Sequence, residues 1–121
     1  MRVFFTDTFE IPLPDDHRFP ARKYPMLRER IIRERVVDPW ELDIPEPATA
    51  EALERAHERS YVESVFRGDL GGKEQRRIGL PWSPGLVERT VRSVGATIAA
   101  CRAALDDGHA VYLGGGTHHA F

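Results

Sequence analysis

One stretch at the end of the chain decides how the rest is interpreted: Ala110-Val111-Tyr112-Leu113-Gly114-Gly115-Gly116-Thr117-His118-His119-Ala120-Phe121. Its first four residues are apolar and predict a buried strand, which runs into three glycines and then two adjacent histidines. Neighbouring side chains on a regular strand point to opposite faces, so two adjacent imidazoles serve one site only if the backbone leaves strand geometry. Glycine permits this, because it accepts positive φ and lets other groups approach the backbone closely.

The pair His118 and His119 is the leading candidate for catalysis. Neutral imidazole accepts a proton or binds a metal, and imidazolium donates a hydrogen bond, so one histidine could act as a base while the other stabilises an oxyanion. Two other interpretations stay open. The pair could be surface histidines in a turn, or residues 114–117 could hold a phosphate with backbone N–H groups. The phosphate interpretation lacks the lysine and the following helix of a P-loop.

The longest predicted helix precedes this strand and begins at Ser83-Pro84, with serine as the cap and proline at the first position. Apolar residues recur every three or four positions and predict a buried stripe formed by Val87, Val91, Val94, Ile98, Cys101 and Leu105. Small residues keep an adjoining face thin, namely Gly95, Ala96, Ala99, Ala100 and Ala103. The helix can therefore lie close to a sheet, and Asp107-Gly108 is its predicted end.

The upstream part of the chain predicts two more strands and several shorter helices. The strands are expected at Val3–Phe5 and Trp40–Ile44, and helices are expected after Pro25, from Thr49 to Ala56, and from Ser60 to about Gly68. Residues 68–79 are polar and glycine-rich, which predicts a mobile loop. Strands separated by helices predict a single α/β domain over residues 1–121 with parallel strands. Ligands of such sheets bind beyond the carboxyl ends of the strands, where residues 114–119 would lie.

Composition excludes some classes of partner. The net charge of −2 and the pI of about 6.2 favour neither nucleic acid nor an anionic membrane as a partner. Because Cys101 is the single cysteine, no intramolecular disulfide forms, and a reducing compartment is expected. The N-terminus lacks the apolar core of a signal peptide, and no window is apolar enough for a membrane span. We therefore expect a cytoplasmic protein.

The remaining candidates for chemistry are single residues. His17 lies in a long, proline-rich segment and could line a site, whereas His57 is more simply a packing residue and His109 a solvated one. Cys101 falls on the predicted buried stripe and is expected in the core. The sequence holds no C-x-x-C and no H-E-x-x-H pattern, so no zinc site is predicted from spacing.

The sequence resembles the N-terminal part of the histone deacetylase superfamily, closest to the bacterial deacetylase-like, class IV-like and acetoin-utilisation-type proteins. The resemblance is carried by Gly115-Gly116-Thr117-His118-His119-Ala120, which matches the family pattern G-G-x-H-H-A, and by His57-x-x-x-Tyr61, residues 77–84 and His17-x-Phe19-Pro20-x-x-Lys23-Tyr24. It implies a partial three-layer α/β fold of the arginase/deacetylase type, with a mostly parallel sheet and the three strands in the order two-one-three.

The resemblance also implies an activity, the hydrolysis of acyl-lysine or related acyl-amide bonds by a zinc-bound water. His119 would be the general acid/base and His118 would stabilise the oxyanion, with Gly115, Gly116 and His17 in the active-site loops. The family's zinc ligands, an Asp-x-His pair and a later Asp, follow the histidine pair and have no counterpart within these 121 residues. We therefore expect neither a zinc site of family type nor activity from this chain alone.

Two further expectations follow from the resemblance. The third strand would lack the neighbour that a longer chain provides, so its open edge predicts a homo-oligomer. The alternative to an enzyme fragment is a non-catalytic α/β assembly or binding module that keeps the scaffold without the metal.

Overall fold

The sheet at the centre of the protein has three parallel strands. In the computed structural model, which describes residues 1–115, β1 is Arg2–Phe4, β2 is Leu42–Asp43 and β3 is Ala110–Tyr112. Their order is β2-β1-β3, with Val3 opposite both Leu42 and Val111. Two backbone hydrogen bonds continue the ladders beyond the strands, from Phe5 N to Asp43 O at 3.1 Å and from Leu113 N to Phe4 O at 2.9 Å. The predicted fold class and strand order are confirmed.

The five helices are α1 at Lys23–Arg33, α2 at Ala50–Glu54, α3 at Arg59–Arg67, α4 at Gly72–Ile78 and α5 at Pro84–Asp107. The predicted caps of α2 and α5 are confirmed, because the Thr49 hydroxyl accepts from Ala52 N and the Ser83 hydroxyl from Leu86 N. Helix α3 begins at Arg59, slightly before the predicted Ser60, and ends as predicted at Gly68, which has a φ of 75°. No helix in the described part of the chain is long and apolar enough to cross a membrane.

Helix α5 packs on the sheet through its small residues, so the prediction that Cys101 and Leu105 are buried was wrong. Ala96 is fully buried and Ala103 nearly so, and both form a cluster with Phe4 of β1. Cys101 is exposed and Leu105 is 87% exposed. Small side chains allow the closest approach of helix and sheet, so they face the sheet although the larger apolar residues form the stronger periodic pattern. The N-terminal part of the apolar stripe on α5 instead faces α2 and α3 across a small apolar cavity. Val87, Val91 and Val94 line this cavity from α5.

The second strand is shorter than predicted, and the predicted loop at residues 68–79 was wrong. The segment predicted as the strand Trp40–Ile44 begins with a 3-10 turn, Pro39–Glu41, because a Glu41 carboxylate oxygen accepts from Asp38 N at 2.9 Å and draws the backbone into a turn. Trp40 is 79% exposed and is not a core residue. The predicted loop at residues 68–79 contains α4, since strong helix formers occupy residues 73–77 and Gly79, with a φ of 72°, ends the helix.

Helix α1 is amphipathic in sequence but has no buried residue. Leu27 is 42% exposed and Val36, which follows the helix, is 62% exposed. Arg35, also beyond the helix, has a φ of 55°, a conformation that a residue with a Cβ adopts rarely. Backbone bonds from Arg35 N to Ile32 O and from Val36 N to Ile31 O close this helix end.

Candidate functional site

The carboxyl ends of β1 and β3 are joined by a chain of three hydroxyl groups. The Tyr112 hydroxyl donates to Ser93 Oγ of α5 at 3.1 Å and lies 2.9 Å from the Thr6 hydroxyl, which follows β1. A tyrosine hydroxyl has one proton, so Thr6 is the donor to Tyr112. Thr6 is 2% exposed, and its hydroxyl is thus satisfied by a partner 106 positions away in sequence. These bonds fix the end of β3, from which the chain leads to the predicted histidines, against β1 and α5.

Gly114 is required by the same tyrosine. A Cβ atom on Gly114 would lie 2.6 Å from the Tyr112 hydroxyl oxygen and 2.7 Å from its Cζ. Gly114 is not among the glycines with positive φ, so the close approach of a side chain, and not an unusual backbone conformation, explains the residue. Gly115 is exposed and nothing lies within 4 Å of the position of its Cβ.

The segment after β1 is tied to α1 by an ion pair. Arg28 Nε lies 3.0 Å from both carboxylate oxygens of Asp7, and Arg28 Nη2 lies 2.8 Å from Oδ2. The Asp7 side chain is only 4% exposed, whereas that of Arg28 is 25% exposed. The hydrogen bond to Asp7 raises the pKa of the Arg28 guanidinium, which also lies 4.8 Å from the centre of the Phe5 ring. The start of the long segment is therefore held in place at the edge of the sheet.

This long segment and the start of α1, residues 7–25, border an open cavity of about 650 Å³ against α5. His17 lies in its wall and is half-buried, and its role in a site stays a prediction. The ring Nδ1 of His17 accepts a hydrogen bond from Phe19 N at 3.1 Å, and the backbone N–H of His17 donates to Pro14 O at 3.0 Å. Since Nδ1 is an acceptor, neutral His17 carries its proton on Nε2.

Three of the five predicted site residues lie beyond the described part of the chain. Gly116, His118 and His119 lie outside the described residues, so their roles stay predictions. His57 and His109 are exposed, and the His57 ring centre lies 5.7 Å from that of Tyr61. Within residues 1–115, no three His, Cys, Asp or Glu side chains cluster in a way that could hold a metal ion.

Sequence reasoning missed several residues that shape the site, notably Thr6, Ser93, Tyr112 and Arg89. One signal was available for Thr6 and Tyr112, because both lie at or just beyond the carboxyl end of a strand, where ligands of α/β proteins bind. Ser93 and Arg89 carried none, since each lies in the interior of a helix where polar residues usually face water. Only the position of α5 over the sheet decides that they point inward.

These features define an α/β protein whose parallel strands direct two segments, residues 5–22 and residues 113–115, to one edge of the sheet. The sequence model of the histone deacetylase domain matches residues 17–121, most of the chain. The chain therefore belongs to the histone deacetylase family. It is also 41% identical over 119 residues to an uncharacterized protein of Picosynechococcus sp., a match that covers 98% of this chain and 40% of that relative. The chain spans about 40% of the length of the relative that it matches.

Proposed function

We propose that this chain is the N-terminal part of a zinc-dependent hydrolase of acyl-lysine or related acyl-amide bonds, to which it supplies the histidine pair His118 and His119. The observation that carries this proposal is the hydroxyl chain Thr6–Tyr112–Ser93, which fixes the end of β3 at the ligand-binding edge of the sheet. The family match supports it, because the matched residues include both histidines.

The chain's own chemistry would be proton transfer and charge stabilisation. His119 takes a proton from the attacking water and returns it to the leaving amine, and His118 donates a hydrogen bond to the oxygen that becomes negative. A bound zinc ion supplies Lewis acidity that lowers the pKa of the water. The described residues do not fit such an ion, because no cluster of suitable ligands occurs among them. We therefore expect the chain alone to be inactive.

An assay of acetyl-lysine peptide hydrolysis tests this proposal. The chain alone, with added zinc, should show no hydrolysis, whereas a fusion of residues 1–121 to the remaining part of the Picosynechococcus relative should hydrolyse the peptide when zinc is present. His119→Ala in the fusion should lower kcat by about 100-fold or more, because a positioned general acid/base contributes at least that factor. His109→Ala is the matched control, since His109 is exposed and should leave kcat unchanged.

Three outcomes separate the alternatives. Hydrolysis by the chain alone would contradict the proposal that this chain supplies the histidine pair but is inactive by itself. A fusion that is active but insensitive to His119→Ala would remove His119 from catalysis. A folded fusion that binds zinc yet hydrolyses no acyl-amide would favour the non-catalytic module.

We also propose that the chain self-associates through the open edge of β3. Within residues 1–115, β3 pairs only with β1, and Val111 at its centre is 37% exposed. An unpaired edge offers backbone N–H and C=O groups to a second copy of the same strand. Light scattering should report a dimer or larger species, and Val111→Lys should shift it to monomer because charged side chains block edge pairing. A concentrated wild-type chain that scatters as a monomer would refute this association.

A further inference from the structure

Arg89 is a buried cation with one nitrogen that lacks a hydrogen-bond partner. The residue lies in the second turn of α5 and is 7% exposed, and its Nη1 atom is buried without an acceptor among residues 1–115. An unsatisfied buried donor destabilises a fold by about 1–3 kcal/mol, and more when the group is charged. The other buried side-chain polar atoms of the described residues all have partners. Within residues 1–115, the buried guanidinium of Arg89 therefore lacks a complete set of hydrogen-bond partners.

A second cation, Lys23, contacts the same aromatic ring as Arg89 and adds positive charge near it. The Arg89 guanidinium carbon lies 5.1 Å from the centre of the Tyr24 ring, and the Lys23 ammonium lies 5.0 Å from the same centre. Cation–π attraction favours each contact but neutralises neither charge. Of the three acidic residues that line this cavity, Asp7 is already paired with Arg28, and Glu10 and Asp15 are exposed. No salt bridge to Arg89 forms in the described part of the chain.

The residues that line the cavity indicate what kind of anion would pair with Arg89. Arg89 lines the open cavity of about 650 Å³ bordered by residues 7–25, a volume typical of sites for small organic ligands. Much of the lining is apolar or aromatic, including Phe9, Ile11, Leu13, Phe19 and Tyr24. A planar carboxylate matches the fork of a guanidinium in a bidentate pair, and an apolar body matches these walls.

We propose that this cavity binds a monocarboxylate with a compact apolar or aromatic body, its carboxylate paired with Arg89. The carboxylate would satisfy Nη1 and neutralise the buried charge, and the body would displace water from the aromatic walls. The inference is independent of the proposed hydrolysis, because it uses neither His118, nor His119, nor zinc.

Calorimetric titration of the chain with benzoate tests the proposal, with benzamide and acetate as comparison probes at constant ionic strength. Benzoate should bind saturably. Benzamide has the same ring without the charge and should bind at least 10-fold more weakly. Acetate has the charge without the ring, and should also bind at least 10-fold more weakly, because it leaves the apolar walls unfilled.

Arg89→Lys keeps the positive charge but removes the planar fork, so it should weaken benzoate binding by at least 10-fold. Arg102→Lys is the matched control on the same helix, because Arg102 is exposed and does not line this cavity. Circular dichroism establishes that both variants are folded. The proposal is overturned if the wild-type chain binds no benzoate, if benzamide binds as tightly as benzoate, or if a folded Arg89→Lys variant binds benzoate with unchanged affinity.

Discussion

Gly95 lies near the middle of α5, where the segment between β2 and α2 crosses the helix. The residue is buried, and a Cβ atom there would overlap the carbonyl oxygen of Glu46 and lie 3.0 Å from Ala48 N and 3.1 Å from the Glu46 carbonyl carbon. All three atoms belong to the backbone and cannot rotate away. In addition, Ala48 N donates to Val91 O of the helix at 2.9 Å. We predict that Gly95→Ala forces the segment away from the helix and destabilises the protein.

Three effects set the size of this change. Overpacking at a site without room costs about 1–3 kcal/mol. Loss of the hydrogen bond between Ala48 and Val91 adds about 1 kcal/mol. The helix propensity of alanine opposes both effects, because alanine stabilises a helix interior by about 1 kcal/mol relative to glycine. The expected net loss in the free energy of unfolding is therefore about 2 kcal/mol.

Urea unfolding followed by circular dichroism measures this loss. For a chain of this size, about 2 kcal/mol lowers the urea midpoint by roughly 1 M. Thr97→Ala is the control, because Thr97 is exposed on the same helix and gains helix propensity without meeting the crossing segment. The reasoning is refuted if Gly95→Ala raises the midpoint as much as Thr97→Ala does, since helix propensity alone would then decide the effect.

Three other substitutions test separate features of the fold. Arg35→Gly should raise the free energy of unfolding by about 1 kcal/mol in urea titrations, because glycine relieves the positive φ; an unchanged value would mean that Arg35 is unstrained. Asp7→Asn should lower it by about 2 kcal/mol, since the partly buried Arg28 loses its anionic partner, and an equally stable variant would contradict this. Glu41 and the Met1 ammonium hydrogen-bond at 2.8 Å, which lowers the pKa of Glu41 and raises that of Met1. Their stabilisation should be complete between the ordinary pKa values of 4.5 and 8.0, and should be lost as pH falls through the lowered pKa or rises through the raised one; stability curves of wild type and Glu41→Gln that stay parallel across this range would argue against the pair.

Local signals were read correctly where a structure depends on neighbouring residues. Ser83 and Thr49 cap helices as their types predict, and Gly68 and Gly108 end helices in the left-handed region. Polar composition at residues 68–79 was misleading, because the glycines lie at the end of α3 and at both ends of α4.

The burial of side chains on α5 was predicted less accurately than the ends of the helices. The periodic stripe on α5 is real, but Leu105 is exposed while Ala96 is fully buried. Periodicity identifies an apolar side of a helix and does not say which of two adjoining sides meets the sheet. That choice follows from how closely the backbones approach, which is a property of the assembled layers.

The sequence by itself determined the α/β class, the parallel strands, the main helices and the candidate residues His17, His118 and His119, because helix caps, glycine turns and alternating elements are encoded within short windows. Tertiary structure alone decided which hydroxyls join the ends of β1 and β3, which carboxylate pairs with Arg28, and that Arg89 is buried without a full set of partners. Each of these depends on residues distant in sequence, and the free energy of burying a polar group is set only when the layers that cover it are in place.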